Sequence, residues 1–421
     1  MNKYKKYIIV DQFTLSKKQL RNINIFWIGI IINILGYILS RTGYVNFIVC
    51  QSLQIIGIIL ILITSINLIK FNIDDQYLQV IYFLYCSWLF ILVLKGFRFN
   101  YDFFKSFLFD LGFGGIIYFV PLILLFPRNL LFYKKTFDCI ILLGILYVAF
   151  DILALKALLN SDRSSLDSQA IVELSTDLSL PAGFILLTSA YHSNKKRLIA
   201  VGVVALTLFF AIIRARRSLI LMTSEIIISS YILYLFSSKR KLLNIYIPIL
   251  LTLVVSIYAT SAYKPENGIF GYLIERGKED TRTGVELYFY DDMKTKDWIL
   301  GRGINGEYFC PDIEPNQVTN YRDVIETGYL QIILKGGIIS LGLLLLITIP
   351  AIIKGLFYSK NILSKAAAIW IMLALLSLYP IIVTAFTLRY LLVWISIGIC
   401  YSKKIRQIPE EVMREYFQPT V

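Results

Sequence analysis

The stretch AIIRARRSLILM sets three arginines, Arg214, Arg216 and Arg217, between two runs of apolar sequence. A guanidinium is a planar, permanently charged fork that grips phosphate or carboxylate oxygens two at a time, so three at one corner suit an anion. Further along, EDTRTGVELYF places Arg282 after two acids, and DWILGRGINGEYF puts Arg302 inside a turn with glycines at Gly301, Gly303 and Gly306. Those glycines expose backbone, but they follow no β-strand and so form no nucleotide fingerprint. A third stretch, IETGYLQIILKGGIISLGLLLL, carries Glu326 about one helical turn before Tyr329.

These residues must be positioned by membrane helices. The chain has 421 residues, 57% hydrophobic and 14% aromatic, with a mean hydropathy of +0.68. Runs of about 18 or more apolar residues cross the hydrocarbon core as helices. The pattern predicts an all-α, polytopic membrane helix bundle of about 12 transmembrane helices with one large external loop. The predicted spans lie near 23–40, 46–69, 77–97, 112–127, 136–156, 176–192, 198–213, 219–236, 243–261, 329–353, 366–386 and 388–401. A basic arm over 1–22, without a signal-peptide pattern, is expected in the cytoplasm, with a cytoplasmic tail over 402–421. Neither internal repeats nor a long linker divides the chain.

The formal net charge is +14, yet the positive charge sits in short clusters between spans, where it sets orientation instead of binding nucleic acid. With both termini inside, the cytoplasmic loops hold Lys134 and Lys135, then Lys195, Lys196 and Arg197, then Lys239, Arg240 and Lys241. One apolar run of 18 residues, 219–236, separates the last cluster from Arg214, Arg216 and Arg217. A single crossing puts the two clusters on opposite faces, which leaves the three arginines outside. They break the positive-inside tendency and so call for an anionic partner at head-group level, or else form a snorkelling helix end. Glu225 lies in the following span, eight residues after Arg217 and near the same helix face. It either pairs with an arginine or serves the site directly. Five cysteines form no spaced framework, and neither a disulfide scaffold nor a metal site is expected.

The external loop, 262–328, reverses the charge of the rest, with eight basic against thirteen acidic residues, a net −5. Its carboxylates and its rings, among them Tyr288, Tyr290, Trp298 and Tyr308, suit a carbohydrate as well as a plain solvated surface. Asp291 and Asp292 are adjacent acids that read as solvated more readily than as a metal pair.

In order and spacing these motifs resemble the Wzy-type O-antigen and capsule polymerases, which share a membrane core with the O-antigen ligases. An arginine-bearing stretch opens a span (IIRARRSLILM), and a second arginine precedes a Trp and a Gly-x-Gly turn (DTRTG…DWILGRGING). The loop then closes on E-T-G-Y-L…G-I-I-S-L, like the family's H-N-x-Y-L…G-(I/V)-(I/V)-G-L. The resemblance covers roughly 198–350. Where the ligases carry a histidine this chain has Glu326, and its single histidine, His192, falls on the predicted cytoplasmic side, which favours polymerase over ligase.

The resemblance implies a GT-C-like fold in a bacterial plasma membrane. It implies two undecaprenyl-diphosphate-linked glycans as donor and acceptor, with no metal and no cofactor. Glu326 is then the candidate base, its pKa expected to be raised by desolvation at the bilayer surface. Arg214, Arg216, Arg217 and Arg282 are the candidate diphosphate clamp, with Glu225, Arg302 and Tyr329 as possible support. Two alternatives stay open at these residues: Glu326 as a carboxylate facing a helix N-terminus, and Arg282 as a local ion pair with Asp280. A chain-length regulator is an expected partner. A lipid-linked oligosaccharide flippase, or an assembly partner without catalysis, is the alternative outside enzyme chemistry.

Overall fold

The computed structural model describes residues 16–42, 45–110, 114–158, 177–237, 282–311, 319–382 and 386–418. These residues are 79% helical, and seven of their helices are long and apolar enough to cross a membrane. The chain divides into two compact units, one formed by Met1–Leu143 with Thr281–Val421 and the other by Gly144–Asp280. The predicted span at 243–261, the start of the basic arm and loop residues 262–281 lie outside the described residues.

In the first unit, α1 (Lys17–Thr42) and α2 (Phe47–Leu68) form a tight antiparallel pair. A Cβ on Gly57 would come within 2.8 Å of Asn33 and of the Gly29 carbonyl, so small residues set the approach of the two backbones. Helix α3 (Gln76–Gly96) opens on Asp75, whose side chain accepts from Leu78 N at 3.1 Å. Short α4 (Tyr101–Phe109) is capped in the same way by Asn100. The predicted α-helical span near 112–127 is instead a 3-10 helix, Gly115–Leu125, with Pro121 inside it. Proline lacks the N–H of an α-helical ladder, and a 3-10 run of eleven residues extends about 22 Å where an α-helix would extend about 16 Å. Helix α5 (Leu130–Leu153) leads into the second unit.

The second unit contains α6 (Asn194–Ile213) and α7 (Arg217–Ser237), packed together as a hairpin. Their connection is the arginine stretch itself. Ala215 takes φ 50°, its N–H donates to Ile212 O at 3.1 Å, and Arg216 N donates to Ala211 O at 2.9 Å. This is a Schellman closure of α6 with alanine where glycine is usual. The predicted corner between two apolar helices is therefore present.

Returning to the first unit, the loop contributes α8 (Thr283–Asp292), α9 (Thr295–Leu300) and a two-residue antiparallel ladder of β1 (Tyr308–Phe309) with β2 (Tyr321–Arg322). Phe289, Met293, Tyr308, Cys310 and Ile325 form its core together with Leu330, Ile333 and Leu334 of the next helix. That helix, α10 (Gly328–Phe357), is broken: Gly337 adopts φ 68°, ψ −178°. The predicted continuous span from 329 is thus two segments, and one broken helix, not expected from the sequence, is present among the described residues. The turn at Gly301–Gly303 fills the break. Arg302 N and Gly303 N donate to the carbonyls of Leu334 and Lys335, each at 2.8 Å, and Trp88 Nε1 donates to Gly336 O at 3.0 Å. Backbone groups orphaned by a buried helix break must find such partners.

Helices α11 (Ile362–Ser377) and α12 (Leu388–Tyr401) complete the first unit. The tail expected over 402–421 is folded, with α13 (Glu410–Phe417) in it. Asn361 Nδ2 donates to the carbonyls of Ile405 (2.8 Å) and Ile408 (3.0 Å), and Glu410 accepts from Ile362 N at 2.8 Å. Burial of Val412 and Met413 explains why a segment of polar composition folds back.

Candidate functional site

Arg282 and Glu326, distant in sequence, meet at the membrane end of the loop with Arg282 Nε 3.6 Å from Glu326 Oε2. Arg282 stands just before α8, and its two terminal nitrogens donate to Tyr379 O (3.3 Å) and Pro380 O (2.7 Å) beyond α11. Carbonyls orient a guanidinium without neutralising it. Thr327 occupies the N-cap position of α10 but its hydroxyl donates to Glu286 of α8, which ties the short link between loop and helix where Glu326 projects. Tyr329 lies in interaction range of Tyr290, Glu286 and Tyr379. Tyr290 stacks on Trp298 with ring planes 6° apart and centroids at 6.0 Å, giving the site a flat aromatic wall.

The Glu326 side chain is 65% exposed within the protein itself. It sits before the N-cap residue, outside the first turn of α10, and pairs with Arg282, which departs from the alternative of a carboxylate facing the helix N-terminus. The alternative partner of Arg282, Asp280, lies outside the described residues.

Arg302 belongs to a different construction. It pairs with Asp292, and with Asp297 at 2.9 Å, and also donates to Glu307 O (2.7 Å) and Asp292 O. Burial opposes its charge, but the hydrogen bonds and fields of Asp292 and Asp297 outweigh burial and push its pKa up. Arg302 is thus a structural cation that ties α8, α9 and the turn together, not support for a ligand. Asp292, expected to be solvated, is spent on Arg302 and on Phe309 N (3.1 Å), whereas Asp291 is exposed. Among the described residues, no cluster of His, Cys, Asp and Glu could hold a metal ion.

In the second unit Arg214 is buried (3%), Arg216 half-buried and Arg217 exposed, so one corner presents its arginines at three depths. Glu225 lies about 12 Å further along α7, and among the described residues no ion pair joins it to these arginines, so the salt-bridge alternative is not seen. His192 is buried, with Nε2 2.9 Å from Thr188 Oγ1.

Sequence reasoning passed over Glu286, Thr327 and Lys335. Lys335 carried a signal, because an ionisable residue inside an apolar run is a functional candidate by default.

No family model, curated protein or solved structure matches this chain.

Proposed function

We propose that the protein is a membrane glycosyltransferase that polymerises undecaprenyl-diphosphate-linked oligosaccharide repeat units. The observation that carries this reading is the meeting of Arg282 and Glu326, two motif residues from opposite ends of the loop, beside an aromatic wall. Glu326 accepts the proton of the acceptor hydroxyl as that oxygen attacks the anomeric carbon of the growing chain. The bond from that carbon to the diphosphate breaks, and its electron pair leaves on undecaprenyl diphosphate. Arg282 offsets the charge that grows on this leaving group. The buried-to-exposed arginines at 214–217 are assigned to lipid diphosphate as well. The reading carries with it a GT-C-like domain of about twelve spans in a bacterial plasma membrane with both termini cytoplasmic, and a chain-length regulator as partner.

The test is deletion of the gene, complementation with wild type, Glu326→Gln or Arg282→Lys at matched membrane levels, and analysis of surface and lipid-linked glycans. Single repeats at the surface, with a polymer ladder restored by wild type and not by Glu326→Gln, are expected. Full-length polymer stranded on its carrier would instead identify a ligase.

One observation favours a second reading, transport of the lipid-linked glycan. Discontinuous helices are a recurrent device of transporters, and α10 is broken at Gly337. Here, however, the carbonyls of Leu334, Lys335 and Gly336 are already bonded to the loop and to Trp88. Single repeats trapped on the inner face after deletion would establish transport and remove the polymerase.

A further inference from the structure

Within the first unit, a cavity of about 350 Å3 lies between the loop, the first segment of α10 and helices α3 and α12. A neighbouring cavity of about 250 Å3 shares Ser106, Tyr118, Ile304, Asn305 and Asp323 with it, so the two adjoin across the same side chains, in a space of ligand size. Lys335 reaches into it from the membrane helix and donates to Gly306 O at 3.0 Å. Asp323 stands on the wall, its backbone held by Gln331 Nε2 at 3.2 Å. Among the described residues no ion pair joins them. A cation and a carboxylate anchored apart on one cavity offer a donor and an acceptor to the same guest, and a hydroxyl uses both.

Charge narrows the guest. Asp102, Asp110, Glu307 and Asp323 line the two cavities against Arg98 and Lys335, a formal net −2. That balance disfavours an anion, whether a diphosphate or an acidic sugar. The rings of Tyr85, Tyr118 and Tyr390 supply apolar faces beside these polar groups.

We infer that this space is the subsite for an uncharged sugar of the acceptor glycan, with Asp323 and Lys335 as its hydrogen-bonding poles. The inference rests on the glycosyl-transfer reading and names the substrate class of that site. Saturation-transfer NMR on the full chain in nanodiscs tests it, with the methyl glycosides of a neutral hexose, an N-acetylhexosamine and a hexuronic acid as probes. Neutral glycosides are expected to bind at least fivefold more tightly than the uronate. Asp323→Asn should weaken them about tenfold, the loss of one charged hydrogen bond. Ser106→Trp, placed on an exposed helix position lining both cavities, should abolish binding. Equal binding of the uronate, or undiminished binding in Asp323→Asn, would overturn the subsite; the second variant decides if the first fails to fold. Binding is read without turnover, so a chain that binds neutral sugars but makes no polymer refutes only the polymerase. A polymer ladder made normally by Ser106→Trp refutes only the subsite.

Discussion

Replacing Arg302 by alanine separates a structural cation from a ligand-binding one. The substitution removes pairs to Asp292 and Asp297 and contacts to two carbonyls. The side chains of Arg302, Asp292 and Asp297 are 19%, 28% and 23% exposed, so solvent screens the cluster only in part. Hydrogen bonds to charged groups contribute about 1.5–3 kcal/mol each, and orphaning a fully buried charge costs about 3–5 kcal/mol. Both carboxylates can turn toward water once released, which sets the loss at about 2–4 kcal/mol. Cys310 reports it. Its side chain is fully buried in the loop core, and Asp292 accepts from the N–H of the preceding residue, Phe309. Local opening exposes the thiol to a bulky maleimide, so labelling should accelerate about 30- to 900-fold in Arg302→Ala. With the partly exposed Cys86 replaced by alanine, Cys50, Cys139 and Cys400, buried in apolar helices, serve as the unlabelled background. Labelling within twofold of wild type, together with loss of polymer, would refute the structural assignment and return Arg302 to the ligand.

Gly337→Ala should prevent accumulation of folded protein, because φ 68° with ψ −178° is open essentially to glycine alone and a Cβ would come within 2.0 Å of Ile299 O. Gly342→Ala, with nothing within 4 Å, is the matched control and should leave detergent stability unchanged or slightly raised. Ala215→Gly should stabilise the second unit by about 0.5–1 kcal/mol, read as a longer half-life at elevated temperature, since glycine carries no Cβ penalty at this φ. For Asp75, burial opposes ionisation. The hydrogen bond from Lys354, that from Leu78 N and the charges of Lys354 and Arg406 outweigh it and hold the carboxyl below its ordinary 3.8. Its contribution to stability is therefore full above that value and lost as pH falls below it, so Asp75→Asn should flatten the acid limb of a thermal-stability profile below about pH 4. An unchanged acid limb would show that this pair does not link α3 to α10.

Composition and apolar run length revealed the membrane helices because the hydrocarbon imposes a length on each crossing. The same measure misread α10, since Gly336 and Gly337 are apolar enough to pass within a span, and only backbone dihedrals distinguish a break from a helix. The folded tail was hidden for a related reason. EEVMREYF is charged overall, and its apolar side chains at 412, 413, 416 and 417 are buried because the segment turns back, Glu410 onto the start of α11 and Phe417 onto Phe137 of α5. Arg282 and Glu326 were legible as chemistry, and their meeting follows from contacts no spacing rule contains, the carbonyls of Tyr379 and Pro380 above all. Arg302 was misassigned because a guanidinium that binds phosphate and one that binds two aspartates have the same sequence appearance.

The break in α10 explains how a mobile class of structure, a loop, can hold chemistry at fixed geometry. A loop joined to a membrane domain only at its ends could shift its side chains by far more than a reacting bond tolerates. Here the turn at Gly301–Gly303 is itself the missing piece of a membrane helix. Its two N–H groups complete the ladder at Leu334 and Lys335, Lys95 donates to Gly301 O at 2.6 Å, and Lys335 returns a bond to Gly306 O. Displacing the loop would leave those carbonyls without their partners, a cost of about 1–3 kcal/mol for each one left buried. The first segment of α10 is therefore clamped at both ends, by the turn at its C-terminal end and by Thr327 with Glu286 at its start. Glu326, one residue before that cap, inherits the rigidity of the helix while remaining open to solvent. On the glycosyl-transfer reading proposed above, Glu326 is held in place by this scaffold, and variants loosening the turn should lower turnover before they lower glycan binding.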